Sequence, residues 1–251
     1  MMSESACKYY GVVSIVMPSY NSSRTIEKSI SSVIEQTYPY WELIIVDDCS
    51  TDDTSVIVNG MHDSRIKLIP LQKNSGSPVT PRNVAIEEAT GDYIAFLDSD
   101  DFWLPNKLSL QLSIMHEKNS LVCHGSYYRC QGEKRSLTQA KNFVDYKSML
   151  SSNKIGNLTG IYNCKVIGKV FQEHIGHEDY LMWLNILRGR FSVGISEPIA
   201  CYTVSLNSVS SNKMKSAIWH FKILKNHAKL SYGSLFFMFF AYVFNAVKNR
   251  L

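Results

Sequence analysis

Four apolar runs rich in β-branched residues, at 12–17, 43–46, 66–71 and 93–97, alternate with amphipathic stretches at 24–36, 54–61 and 79–89. Strands that are apolar on both sides need cover on both faces, and the helical patterns between them supply it. Such alternation is the mark of a mostly parallel sheet flanked by helices in an α/β protein. A chain of 251 residues has room for one large α/β domain or two small ones. Ligands of open parallel sheets bind beyond the carboxyl ends of the strands. The unusual residues lie there: PSYN (18–21) after the first run, DDCSTDD (47–53) after the second and DSDD (98–101) after the fourth.

Asp98, Asp100 and Asp101 crowd one strand end, and like charges so close cost stability unless something neutralises them. An Asp-x-Asp pair suits a hard divalent cation. Mg²⁺ takes one or two carboxylates and fills its other positions with water and substrate phosphate, and Mn²⁺ shares the oxygen preference. The spacing lacks the sixth-position glycine and twelfth-position glutamate of an EF-hand. Taken alone, the cluster also reads as a loop in which Asp101 caps a helix starting near Leu104. Asp47 and Asp48 end another strand, where an acceptor suits the imide N–H of a uracil ring, and Tyr20 from the neighbouring strand end can lie against the base. Asp52 or Asp53 reads as a helix cap, and Asn21 fits either a ligand contact or an Asx-type turn. Arg82 follows two prolines in a loop near the same edge, and reads either as a phosphate contact or as a solvated surface arginine.

A less regular second region begins near Leu121, with strand-like pieces at 121–124, 159–163 and 191–196 and a strong helix pattern over 178–188. No Gly/Ser/Pro-rich linker precedes that helix, so it is expected to pack into the same domain. The expected organisation is a first half over 1–120, a second half of the same domain over 121–212 and a basic amphipathic tail over 213–251. The six cysteines form no Cys-x-x-Cys pair, which removes zinc-knuckle and dithiol readings, and the N-terminus shows no secretory pattern. Reduced thiols and a cytoplasmic address are expected.

The net charge of +4 hides an asymmetry. After Glu197 there is no Asp or Glu but seven cations, so the rest of the chain is mildly acidic. On a helix Lys215, Lys222, Lys225 and Lys229 share one stripe, with Ile218, Trp219, Phe221, Ile223 and Leu224 around the rest. The apolar run at 235–247 falls short of the roughly 20 residues needed to span a bilayer. A basic stripe beside aromatic surface suits a helix lying on anionic lipid; the other reading is a helix folded back on the core or on a partner subunit.

The stretches VSIVMPSYNSSRTIEKSISSVIEQTYPYWELIIVDDCSTDDT, NSGSPVTPRN and GDYIAFLDSDDFWLP together resemble the N-terminal half of the inverting family 2 glycosyltransferases, across residues 12–105 and with four motifs in the family's order. The resemblance implies a GT-A fold, a Rossmann-like nucleotide half joined to an acceptor half, and a sugar nucleotide used with Mn²⁺ or Mg²⁺. By it, Pro18 and Tyr20 line the base pocket and Asp48 reads uracil, with Asn21 counted among the donor-binding residues. Asp98 and Ser99 lie near the ribose and diphosphate, Asp100 is the main metal ligand with Asp98 beside it, and Arg82 takes the arginine position of the family's Arg-Asn pair. The missing positive charge is then a divalent cation arriving with a UDP-sugar.

Inversion needs a carboxylate opposite the leaving diphosphate to take the acceptor's proton. The family supplies one from a Glu-Asp or similar pair opening a helix, and IGHEDYLMWLNIL (175–187) matches: Asp179 is the expected base and Glu178 its neighbour. Acidic residues in a first helical turn also satisfy the macrodipole with no catalytic duty. One departure stands out: YTVSLNSVS (202–210) keeps Tyr202, Ser208 and Ser210 but has Thr203 and Ser205 where relatives often carry Arg and His. His177 is considered as a substitute for them, against a plain surface or core role. The expected acceptor is a glycan hydroxyl, on a lipid-diphosphate-linked intermediate of surface polysaccharide (O-antigen or capsule) at the inner face of the plasma membrane, with no nucleic-acid partner. The competing readings are a sugar-phosphate nucleotidyltransferase, which lacks its Gly-rich phosphate loop here, a receiver-like Mg²⁺-binding module, and a non-catalytic member of the same fold.

Overall fold

The computed structural model describes residues 8–204 and 213–228, with 230, 233, 235 and 237–239. Its strands are β1 (Val13–Ser19), β2 (Trp41–Asp47), β3 (Ile66–Pro70), β4 (Tyr93–Phe96), β5 (Phe102–Trp103), β6 (Val122–Gln131), β7 (Lys134–Thr138), β8 (Phe143–Asp145), β9 (Ile161–Asn163) and β10 (Phe191–Thr203). The helices are α1 (Ile26–Ile34), α2 (Thr54–Asn59), α3 (Val79–Glu88), α4 (Lys107–Glu117), α5 (Tyr146–Met149), α6 (Cys164–Ile167), α7 (Glu178–Ile186) and α8 (Lys213–Asn226). All ten strands join one sheet in the order β3-β2-β1-β4-β9-β6-β10-β5, with β7 on β6 and β8 on β10.

The first four strands are parallel, and all seven residues of β1 are buried. Alternation along them sorts side chains to two faces. Val13, Ile15, Met17, Leu43 and Ile45 pack with Ile26, Ile30 and Val33 of α1 and Leu108, Leu112 and Met115 of α4. Val16, Ile44, Val46 and Phe96 face the opposite core, with Ala85 and Ile86 of α3 and Leu181, Trp183 and Leu184 of α7. The result is helix, sheet, helix, as the doubly apolar strands demand.

β9 turns the sheet antiparallel, lying between β4 and β6. Gly160 lets it approach: a Cβ there would stand 2.1 Å from Cζ2 of the fully buried Trp183. β6 and β10 run well past the apolar pieces visible in sequence: the second half of β6 is half-buried or exposed, and β10 crosses exposed Ser196 and Glu197 before its buried Ile199, Ala200 and Cys201. β5 pairs with β10 at Ala200 and Cys201, which brings the end of β10 to the 98–101 loop.

The acidic 98–101 cluster does not cap α4. That helix starts at Lys107 with Asn106 at its N-cap position, whereas Asp101 turns inward. Arg82 is likewise in α3 and not in a loop: Pro78 occupies the N-cap position and Pro81 the first turn, where a missing N–H is harmless.

In α8, His220, Ile223 and Leu224 are buried, the last two in the α7 core, whereas Ile218, Lys222 and Lys225 face outward. The helix is thus folded back on the body through one face. Lys229, Lys248 and Arg250 lie outside the described residues, as does most of the 235–247 run. Among the described residues no helix is long and apolar enough to cross a membrane.

Candidate active site

Two cavities share a wall at the carboxyl ends of β1, β2 and β4. The first, about 550 Å³, is lined by Pro18, Tyr20, Asn21, Asp48, Arg82, Asp98, Ser99 and Asp100, together with the 74–78 loop. Every donor-side residue singled out in sequence therefore meets in one hollow. The second, about 310 Å³, holds Glu178 and Asp179 with Asp101, Tyr127, Arg129, Asn157 and Tyr202. Pro78, Arg82 and Asp98 belong to both.

The loops of the first cavity are fixed by hydroxyl-to-carboxylate bonds. Asp47 accepts from the Ser50 amide (3.1 Å), the Ser50 hydroxyl (2.5 Å) and the Ser19 hydroxyl (3.2 Å), so it holds two strand ends together. Asn21 has φ of +47°. Its amide donates to Ser50 Oγ at 2.8 Å and its Oδ1 accepts from the Thr51 amide at 2.8 Å, so it ties the β1 and β2 loops while lining the cavity. Asp52, not Asp53, serves the start of α2: it accepts from the Thr54 amide (3.1 Å) and hydroxyl (2.5 Å) and from the Ser23 amide (3.0 Å). The Thr54 hydroxyl above all holds its carboxyl well below the usual range. Asp48 accepts from the amide and the hydroxyl of Ser75, both at 2.9 Å; each carboxylate oxygen keeps capacity for a further donor. Ser99 Oγ lies 2.7 Å from Ser22 Oγ, and Tyr20 is half exposed over the opening.

Arg82 is the hinge between the cavities. Its Nη2 donates to Asp98 Oδ1 at 2.6 Å, its Nη1 to Gln172 Oε1 at 3.4 Å, and Nη1 stands 3.9 Å from Glu178 Oε1. Burial works against its charge, but Asp98, Asp179 and Glu178 outweigh burial and hold the guanidinium protonated. Asn83 anchors the same segment by exchanging bonds with the Gln172 backbone at 2.9 and 2.8 Å. Sequence reasoning missed Gln172, because nothing in its local spacing links it to a residue ninety positions away.

The acidic cluster thus receives one positive charge from the chain itself. Asp98 takes it; Asp100 and Asp101 do not. Desolvation, then the charge of Asp98, raises the pKa of Asp100. The same causes push Asp101 up to about 8, although the Thr203 amide donates to its Oδ1 at 2.7 Å. Carboxyl groups that burial and the charge of Asp98 make costly to ionise would be relieved by a hard divalent cation, which prefers oxygen ligands. Among the described residues no three His, Cys, Asp or Glu side chains converge as a closed metal cage. Mg²⁺ and Mn²⁺ sites shared with a diphosphate do not require one, since one or two carboxylates suffice. With Asp98 engaged by Arg82, Asp100 is the better placed of the two expected ligands.

Asp179 stands in the first turn of α7, with Asn153 Nδ2 donating to its Oδ2 at 3.2 Å. Burial first, then Glu178, raises its pKa, against Arg82 and His177. His177 lines neither cavity: its ring packs edge-on against Trp219 of α8 at 5.5 Å and near Tyr180. Tyr202 lines the second cavity and Thr203 contributes its amide, while Ser205, Ser208 and Ser210 lie outside the described residues.

A parallel nucleotide-type sheet edge that runs into an acidic second cavity is the architecture of a GT-A fold. The description Glycosyl transferase family 2 matches residues 14–176, and the chain belongs to that family. It is 37% identical over 247 residues (96% of this chain, 98% of the relative) to TuaG of Bacillus subtilis, whose name places it in teichuronic acid biosynthesis. It is 39% identical over 207 residues (81% of each chain) to WfgD of Escherichia coli, named UDP-Glc:alpha-D-GlcNAc-diphosphoundecaprenol beta-1,3-glucosyltransferase. In fold it is similar to S. aureus TarS residues 1–349, a structure in complex with UDP-GlcNAc: TM-score 0.73, 23% identity, covering 92% of this chain and 71% of that one.

Proposed function

We propose that this glycosyltransferase moves a hexose or N-acetylhexosamine from a UDP-sugar, with inversion, to a hydroxyl of a lipid-diphosphate-linked glycan in surface polysaccharide synthesis. The observation that carries the reading is the shared wall. A donor whose diphosphate lies by Asp98 and Asp100 presents its anomeric carbon at Arg82 and Asp98, where the cavity holding Asp179 begins. The relatives' names supply the class of donor and acceptor.

In this reading Asp48 accepts from the uracil ring and Tyr20 covers it. Arg82 holds Asp98 in place and offers positive charge to the departing phosphate. A bound Mn²⁺ or Mg²⁺ at Asp100 would add charge stabilisation of the leaving group. Asp179 receives the acceptor hydroxyl's proton as that oxygen bonds to the anomeric carbon. The bond from that carbon to the diphosphate oxygen breaks, and its electron pair leaves on UDP. Glu178, with its carboxylate near Arg82, keeps Asp179 basic by repulsion.

Site of action follows from the same reading: a cytoplasmic enzyme, peripheral on the inner membrane face, with Lys222 and Lys225 turned to anionic lipid. Screening sugar nucleotides for protection against thermal unfolding, with and without Mn²⁺, tests it. A UDP-sugar should protect, more so with metal, and Asp100→Ala should abolish the increment. Protection by no UDP-sugar would refute the donor assignment.

A further inference from the structure

The second cavity is polarised, and its polarity says how an acceptor lies in it. Resting on the transferase reading above, we propose that it is a subsite for a single sugar ring bearing a phosphate ester, with Asn157 meeting the sugar's hydroxyls and Arg129 reading the phosphate. At about 310 Å³ the cavity sits at the low end of small-molecule sites, about 300–1,000 Å³, so it suits one ring and not a glycan chain. Its inner wall carries Asp98, Asp101, Glu178 and Asp179. The cation in that wall, Arg82, is already engaged by Asp98 and Glu178.

Arg129 differs. It lies two residues beyond Tyr127 on β6, hence on the same face of the strand, and is exposed at the cavity rim. Its guanidinium stands 5.5 Å from the centre of the Tyr202 ring. Among the described residues it forms no ion pair with a carboxylate. Tyr127 and Tyr202 meet edge-on, with ring centres 6.4 Å apart, and offer the flat apolar surface that a sugar's C–H face prefers. Asn157 supplies an independent sign of a missing ligand: both its amide nitrogen and its amide oxygen are buried with no hydrogen-bond partner among the described residues. A buried amide left unpaired is costly. Neighbouring sugar hydroxyls, each donor and acceptor, match it once the amide turns to the cavity.

These charges fix one orientation. A phosphate placed inside would face the acidic side chains of Asp98, Asp101, Glu178 and Asp179, whereas at the rim it meets Arg129. The ring then lies inward, with a hydroxyl directed to Asp179 and the phosphate directed out of the site.

Calorimetry on the full chain tests this with three probes: a short alkyl diphosphate ester of N-acetylglucosamine, the neutral alkyl glycoside of the same sugar, and UDP. Arg129→Gln should weaken the diphosphate probe about tenfold or more, the size of a charge-assisted contact. The same change should move the neutral glycoside less than about twofold and leave UDP unaffected. Asn157→Ala should weaken both sugar probes alike. Equal loss for the two sugar probes with Arg129→Gln, or no loss for either, overturns the proposal; loss of UDP affinity would move Arg129 to the donor. If the unmodified chain binds UDP but neither sugar probe, the acceptor class proposed above fails, and this subsite with it.

Discussion

The two cavities share three residues and are built in opposite ways. The donor cavity is assembled from the short loops that leave consecutive parallel strands, and each loop is tied to the next by a carboxylate: Asp47 to Ser19 and Ser50, Asp52 to Ser23 and Thr54, Asp48 to Ser75. The cavity proposed for the acceptor collects single residues from β6, the 156–158 turn, α7 and the end of β10, held mainly by sheet pairing and helix packing, with isolated bonds such as Asn153 to Asp179 and Thr203 to Asp101. A change in the first should act locally. A change in the second should travel through α7 and whatever leans on it.

The largest effect expected separates the two by function. Asp179→Asn should lower kcat about 10³-fold, within the range a general base supplies, while UDP affinity stays within about twofold. An equal loss of donor affinity would erase the distinction between the cavities. Because burial and Glu178 raise the Asp179 pKa, the carboxylate is lost at a higher pH than an ordinary aspartate. The acid limb of kcat/KM should accordingly fall above the usual value of about 4. Asp100→Ala should come next, with turnover down about 10²-fold or more and no further response to chelator. Residual activity that still responds fully to Mn²⁺ would place the ion elsewhere.

The same contrast explains what the sequence made legible. The strands of the first half are apolar on both faces and their ends carry contiguous motifs, so PSYN, the Asp47–Asp48 pair and DSDD pointed to one sheet edge before any coordinates. Glu178 and Asp179 were legible because the residues after them form a helix pattern. Tyr127, Arg129, Asn157 and Gln172 gave no signal. Each stands alone in its local sequence and reaches the site through residues distant in the chain, such as Tyr202 beside Tyr127 and Arg129 and Asn83 beside Gln172. The roles of Asp101 and Arg82 in local structure were misread for the same reason: a cap or a loop is what neighbouring residues suggest, and burial by β10 and α3 decided otherwise.

Coupling through α7 can be measured by acid stability. His220 of α8 stacks on Tyr180, one residue past Asp179, with ring centres 5.0 Å apart and 17° between planes, and its Nε2 lies 3.1 Å from the Leu150 carbonyl. Burial lowers its pKa to about 4. The unfolded chain takes up this proton below about 6.5 and the folded chain only near 4. Stability from the neutral ring is therefore present above pH 6.5 and lost as pH falls toward 4. His220→Gln should remove roughly 2–3 kcal/mol of that acid-dependent loss, read from denaturant midpoints at pH 7 and 4.5. His124, also held down to about 4 by burial, remains in both proteins as an internal control. An unchanged pH slope would mean that α8 does not grip α7 in solution.

The smallest effect concerns the outer face of the same helix. Ile223 and Leu224 are committed to the core, so only the side bearing Lys222 and Lys225 is left to meet a membrane. A lysine near an anionic surface contributes about 1 kcal/mol, or about fivefold in binding. Lys222→Gln and Lys225→Gln should each weaken partition onto phosphatidylserine vesicles by about that factor, additively, and without altering turnover on a water-soluble acceptor. If partition is unchanged in the double variant, the contact lies in the segment beyond α8 or the enzyme does not sit on lipid. If turnover falls instead, these lysines serve the acceptor cavity across α7, and the division between a local donor site and a transmitted acceptor site would extend to the far side of the protein.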